Sequence, residues 1–308
     1  MQRRGKKLRN ERIYGVICAI AAYTLWGILP IYWKLINSVF SIEILSHRIV
    51  WAFVFTIVII AVTKQWKELK HIVKDKKQMF YIFIASILIA FNWGLYIWAV
   101  NSDKIVDASL GYYINPLFAV ALGMLVFKEK LDYWQVSAIV IASIGVIIKT
   151  LQYGKMPWVS LGLAVSFGLY GVMKKLVKTS SIVGLTLETT MLVPVAAIYI
   201  AARQINGLGA FGRADMIVIL LLIGSGIVTA VPLLLFSSGA KRLPMSVLGF
   251  TQYISPTISL LIGIFVYHEE FTSLDMISFS LIWIALALYS FYQIGVMGTL
   301  SRQLFEKS

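Results

Sequence analysis

The chain has 308 residues, 59% of them apolar and only 14% charged, with a mean hydropathy of +0.82. A soluble domain carries about 25% charged residues, so this balance excludes a soluble globular protein and makes the chain an integral membrane protein. The formal net charge of +14 does not point to nucleic acid, because the basic residues are distributed as a topology signal.

A basic tail, 1–12, runs from Arg3 to Arg12 and precedes the first apolar run, 13–33. The small-residue site Ala19-Ile20-Ala21 leaves only Ile13 to Cys18 before it, too short an apolar region for a cleaved signal peptide, so this run reads as an uncleaved span. Cys18 is the single cysteine, which rules out an internal disulfide and makes it a small packing residue within the first helix. About 17 to 25 apolar residues suffice to cross a bilayer core as helix. Further runs of that kind lie near 44–63, 79–100, 108–127, 133–151, 157–173, 181–202, 215–239, 246–267 and 275–297, for ten predicted spans. The 64–78 loop is the longest polar stretch and places Trp66 and Leu69 at the interface, and residues 298–308 form a second tail.

Lys and Arg alternate between these loops. The two tails, 64–77, 128–130, 174–178 and 241–242 hold 21 of the 28 basic residues, the other loops hold 6, and Arg48 falls inside a span. The positive-inside rule then puts both termini in the cytoplasm.

The chain also repeats itself. Tyr113-Ile114-Asn115-Pro116 returns as Tyr253-Ile254-Ser255-Pro256, and the echo continues at Gly123/Gly263, Val126/Val266 and Glu129/Glu269. Weaker matches pair Trp26-Gly27 with Tyr170-Gly171, Lys34 with Lys178, and Glu43 with Glu188 after a one-residue slip. Ten spans in two halves give five each. Five is odd, so the halves cross the membrane in opposite senses, and sites in such proteins lie near the midplane where the halves meet. The expected fold is therefore all-α, with ten transmembrane helices in two inverted five-helix repeats, 13–151 and 157–297.

Ionisable groups in spans need a reason, because a charge at the bilayer centre costs several kcal/mol. Glu43 and His47 share a helix face, with Arg48 turned away by about 100°. Two readings stay open: an interfacial group that snorkels to the headgroups, or part of a translocation path. By the repeat, Lys34, Glu43 and Glu269 belong to one face of the membrane, with His47 and Arg48 beside them. Lys178, Glu188 and Glu129 belong to the other. The two sets are candidate ionic gates, the alternative being solvated helix ends. Glu129 and Glu269 end their helices, where the macrodipole disfavours an anion, and a cation nearby would relieve this.

A neutral set forms the candidate substrate path: Asn92, Trp93 and Tyr96 in the third span, Tyr112, Tyr113 and Asn115 in the fourth, and Gln252, Tyr253 and Ser255 in the ninth. Pro116 and Pro256 follow Asn115 and Ser255 and predict helix breaks at equivalent points of the two repeats. The alternative is that these residues only shape the bundle. Such a lining suits a neutral or amphipathic organic solute better than a bare metal ion.

Other chemistries are disfavoured. The GxGxxG match at 207–212 has no strand before it, there is no Walker sequence, and His47, His71 and His268 are too scattered for a metal site. No cofactor, metal or nucleic-acid partner is expected. The expected partners are the lipid bilayer and an unknown small-molecule substrate, and a homodimer is compatible with the sequence.

Finally, "GVICAIAAYTLWGILPIYWKLI" at 15–36, "EILSHRIVW" at 43–51, "NWGLYIWAVN" at 92–101, "ASLGYYINPL" at 108–117, "SFGLYG" at 166–171 and "GFTQYISPT" at 249–257 resemble the RarD branch of the EamA family, in the drug/metabolite transporter superfamily. The resemblance runs almost from end to end. It implies ten helices in inverted repeats, a bacterial inner membrane, and a permease whose family name is linked to chloramphenicol sensitivity or resistance. It supplies no established substrate. Its recurring positions match Trp26, Lys34, Glu43, His47, Arg48, Asn92, Trp93, Asn101, Tyr113, Asn115, Pro116 and Glu129. The expected function is export of small organic metabolites or drugs by alternating access, with proton coupling through Glu43 or Glu188 and facilitated diffusion both open.

Overall fold

A computed structural model describes residues 2–101, 105–153, 158–267 and 272–305. Every apolar run is helical, and no strand occurs among the described residues. Hydrocarbon offers no partner to a backbone N–H or C=O, so each span must satisfy its own, which a helix does. The first half comprises α1 (Gln2–Lys34), α2 (Ser41–Thr63), the short α3 (Trp66–Lys74), α4 (Lys76–Asn101), α5 (Ile105–Phe127) and α6 (Tyr133–Tyr153). The second comprises α7 (Trp158–Leu176), α8 (Ser181–Ile205), α9 (Met216–Ala240), α10 (Met245–Gln252) with α11 (Ile254–Tyr267), and α12 (Ser273–Phe305). With α10 and α11 as one broken span and α3 outside the count, each half crosses five times, and the halves are inverted.

Two expectations change. The 64–78 stretch is not all loop: α3 occupies most of it, burying Ile72 with Leu69 against Ile60 and Ile82, while Trp66 stays exposed. Leu69 and Ile72 are three apart, so a helix puts them on one face. The symmetric helix breaks also fail. α5 runs unbroken through Pro116, and the only break of the pair is at Tyr253, between α10 and α11. Pro256 then sits in the first turn of α11, where a missing N–H costs nothing. Pro30, Pro194 and Pro232 likewise lie inside continuous helices.

Inside lipid there is little hydrophobic gain from bringing apolar helices together, so close packing of small residues decides the contacts. Gly226 of α9 meets the backbone of α2: a Cβ there would lie 2.3 Å from the Trp51 carbonyl carbon. Gly249 of α10 lies against the Pro116 carbonyl of α5, and Gly27 of α1 against Ile258 of α11. Buried Ala138 and Ala142, with Gly145 one turn on, seat α6 on α12, where Lys149 also pairs with Asp275. Phe80, Phe83, Ile87, Phe91 and Trp98 form one exposed apolar stripe along α4, the surface a bilayer would cover.

The packing follows the inverted symmetry. α1 lies on α9 as α7 lies on α4; α5 lies on α7 as α11 lies on α1; α2 meets α8, α5 meets α10 and α6 meets α12 across the pseudo-axis. The largest departure lies between two pairs. α2 packs along α9 extensively, whereas α4 touches α8 far less. The two faces of the bundle are therefore not in the same state.

Candidate substrate site and gates

Arg48 is carried into the bundle by α2, seven residues or about 10 Å from that helix's start. Its Nε donates to the Thr229 hydroxyl at 3.0 Å. Thr229 is 1% exposed and sits near the middle of the 25-residue α9, so the guanidinium stands at bundle mid-depth rather than among headgroups. The Trp33 ring of α1 lies 4.4 Å from its Cζ and the Trp93 ring of α4 lies 4.9 Å away. Tyr96 and Tyr112 pair edge to face at 6.1 Å between centroids, within electrostatic reach of the same charge. Tyr112 is 42% exposed. α1, α2, α4, α5 and α9 thus converge on one cation with aromatic walls, and α9 is the only one of them from the second half.

The other path candidates are placed differently. Asn92 donates to the Leu163 carbonyl at 3.0 Å and the Ser166 hydroxyl at 2.9 Å, which fastens α4 to α7. Tyr113 is buried against Phe279, and its carbonyl accepts from the Tyr253 hydroxyl at 3.3 Å, joining α5 to the break in the ninth span. Asn115 is buried, with its Oδ1 lacking any partner. Gln252 is buried, and Ser255 is half-buried with its carbonyl close to Gly27. These positions join helices, and none of these bonds reaches Arg48.

On the face where α2 begins, Glu43 is 2% exposed. It accepts from Arg203 Nε and Nη2, each at 3.3 Å, and from the Ala210 N–H at 2.6 Å. The glycine run that mimics a nucleotide motif explains that last bond. Gly207 and Gly212 have φ of +66° and +89°, a left-handed conformation that suits glycine, and they fold the 206–215 loop back over the carboxylate. A cavity of about 350 Å³ opens here, lined by Phe40, Glu43, Arg203 and Arg213 among others. His47 packs against Phe211 and its Nε2 has no partner. Lys34 does not join Glu43; its ammonium lies 3.5 Å above the Tyr267 ring. Glu269 lies outside the described residues.

On the opposite face the lysine partner expected for Glu188 is also corrected. Lys178 is exposed, and its backbone N–H donates to Gln78 at 2.7 Å. Glu188 is instead bound by Lys174 at 2.7 Å and by the Tyr170 hydroxyl at 3.1 Å, with both members of the ion pair 1% exposed. Lys174 lies one residue past the apolar run that predicts the sixth span, but α7 continues to Leu176 and buries it one turn beyond Tyr170. Glu129 is not left facing its own helix end. It accepts from the Met245 N–H at 2.7 Å, the Ser246 N–H at 3.1 Å and the Ser246 hydroxyl at 2.9 Å, and pairs with Lys175 at 3.3 Å. A carboxylate at the start of α10 is where the dipole favours it. Burial would raise its pKa, but these donors and the Lys175 charge hold it below the usual Glu value. Gly123 makes room: a Cβ there would stand 2.8 Å from Glu129 Oε2.

Between this face and Arg48 lies an aromatic cluster of Tyr23 and Trp26 from α1, Phe167 and Tyr170 from α7, and Phe236 from α9, with centroids 5.3 to 6.2 Å apart. Phe236 is seven residues, about 10 Å, beyond Thr229 on α9. The cluster rests on the Lys174–Glu188 pair through Tyr170. The geometry is a closed aromatic floor resting on a buried ion pair, on the Glu188 side of the Arg48 site.

A cation at mid-depth between two inverted halves suits a membrane transporter, and comparison with known proteins assigns the class. The model of the EamA-like transporter family matches residues 13–151 and 155–291, and the chain belongs to that family. It falls in the RarD branch. It is 48% identical to an uncharacterized transporter, YojE, of Bacillus subtilis, over 91% of this chain and 94% of that one. It is 42% identical to Protein RarD of Escherichia coli, over 89% and 93%. A Pseudomonas aeruginosa relative named chloramphenicol-sensitive protein RarD is 26% identical over 89% and 92%. One solved crystal structure shares the fold at a TM-score of 0.69 and 16% identity, covering 90% of this chain and 97% of that one.

Proposed function

We propose that this protein is a secondary transporter that moves small organic solutes across the bacterial inner membrane by alternating access. Its halves, 13–151 and 157–297, rock about a shared site, and the tails 1–12 and 298–308 lie in the cytoplasm. The observation that carries this reading is Arg48, held at mid-depth between Trp33, Trp93 and Thr229 and reaching from one half to the other. The preponderance of basic residues in loops on the Glu188 face supports assigning that face to the cytoplasm.

A facilitative uniporter or exchanger is the second reading. Glu43 and Glu188, the carboxylates best placed to carry a proton, are both ion-paired, which favours a carrier without proton coupling. Counterflow in proteoliposomes tests both readings. A carrier loaded with unlabelled solute accelerates entry of labelled solute, and a pH gradient changes the plateau only if protons are coupled. Entry that is indifferent to internal solute would contradict a carrier.

A further inference from the structure

We infer that the transported solute carries a carboxylate or similar anionic group that Arg48 binds, attached to a planar apolar body; this rests on the carrier reading above. A guanidinium has five N–H donors, and one of them is spent on Thr229. The rings of Trp33 and Trp93 lie 4.4 and 4.9 Å from its Cζ. Aromatic faces stabilise a cation electrostatically but leave the edge of the guanidinium fork unfilled. That fork matches a carboxylate with two parallel bonds. Tyr96 and Tyr112 bring phenol groups near the same charge, and Tyr112 is 42% exposed. A cation, two indole walls and two phenols are the complement of an aromatic or heteroaromatic acid.

The choice of anion over zwitterion follows from the carboxylates. Among the described residues none is within ion-pair distance of Arg48. Glu43, on the same helix, is taken up by Arg203 and Ala210. Glu188 is taken up by Lys174 beneath the aromatic floor. The site as described offers one positive charge and no acidic partner for an ammonium group. The same geometry revises the neutral solute expected from the lining residues alone, because that expectation set Arg48 apart from Trp93, Tyr96 and Tyr112.

The test uses the purified full-length protein in detergent and measures the shift in Tm with phenylacetate, phenylacetamide, phenylalanine and acetate at matched concentrations. A ligand that binds only the folded state raises Tm with its concentration. Phenylacetate is expected to stabilise the protein, acetate less, and phenylacetamide and phenylalanine least. Arg48→Gln is expected to weaken the phenylacetate response roughly tenfold or more, with Arg48→Lys between. Should Arg48→Gln not fold, Tyr112→Phe and Trp93→Leu supply the comparison, each expected to weaken phenylacetate binding while sparing the order of the four probes. Equal response to the acid and its amide, or none to any carboxylate, overturns the inference. Counterflow of uncharged solutes alone would refute the anion assignment and leave the carrier intact. Carboxylate binding with no counterflow would refute the carrier and leave the anion site intact.

Discussion

Arg48, Glu188 and Lys241 show how much a single side chain depends on what faces it. Lys174 and Glu188 are both 1% exposed. Breaking such a pair from one side leaves a buried charge without a partner and costs about 3–5 kcal/mol, whereas replacing both by apolar residues is often neutral. Lys174→Met and Glu188→Met alone are each expected to lower Tm sharply in detergent, and the double variant to recover most of the loss; additive losses would show that the pair does not act as a unit. Lys241, just beyond α9, donates to the Thr179 carbonyl. Burial first, then the nearby Lys174 charge, lower its pKa to about 7, against the opposing pull of Glu188 and Glu68. The folded state therefore holds its proton less tightly than the unfolded chain. Stability should rise with pH from about 7 toward the ordinary lysine value of 10.5, and Lys241→Met should flatten that rise. Sequence found Arg48 and Glu188 because charges in apolar runs stand out, and Glu43 because it shares a face with His47 and pairs with Glu188 in the repeat. It missed Lys174 and Arg203, which sit beyond the apolar runs, in turns of α7 and α8 that only tertiary packing extends.

Helix crossings depend on where a side chain is missing. Gly226 allows α2 and α9 to touch backbone to backbone, which in turn brings Arg48 to Thr229. Gly226→Ala is expected to destabilise by about 1–3 kcal/mol, as overpacking does, and to reduce transport more than folding. A transport rate equal to wild type would show that this crossing does not position the site. At the start of α10, Glu129→Gln is expected to cost about 1–3 kcal/mol, because one carboxylate there serves two backbone donors, a hydroxyl and Lys175. The spans were legible because twenty apolar residues have little alternative to a helix in lipid. The break at Tyr253 without a matching break near Pro116 was not legible, since the same Tyr-Ile-x-Pro string occurs in both halves. What differs is packing: Gly249 lies on the Pro116 carbonyl, and the Tyr253 hydroxyl bonds the Tyr113 carbonyl, contacts that no local string specifies.

At the scale of the molecule, inverted symmetry relates nearly all the helix pairs and is broken between α2–α9 and α4–α8. A carrier needs that inequality: two halves of the same design, held in one of two arrangements that the pseudo-two-fold axis exchanges, with one face closed while the other admits solute. On the carrier reading the Lys174–Glu188 pair and the aromatic floor hold one face shut, while Tyr112, 42% exposed, lies about 10 Å from the start of α5, on the face where α2 begins. The sequence repeat foretold the symmetry, but which face is closed is a matter of conformation, and both arrangements satisfy the same string. The most direct measurement places a cysteine at Tyr112 in a Cys18→Ala background and follows its reaction with a membrane-impermeant maleimide applied to each face of oriented vesicles. With the Lys174–Glu188 pair intact, reaction is expected from the Glu43 face. With Lys174→Met/Glu188→Met, reaction from the Glu188 face should rise as that from the Glu43 face falls. Reactivity that rises on both faces together, or stays fixed on both, would contradict alternating access.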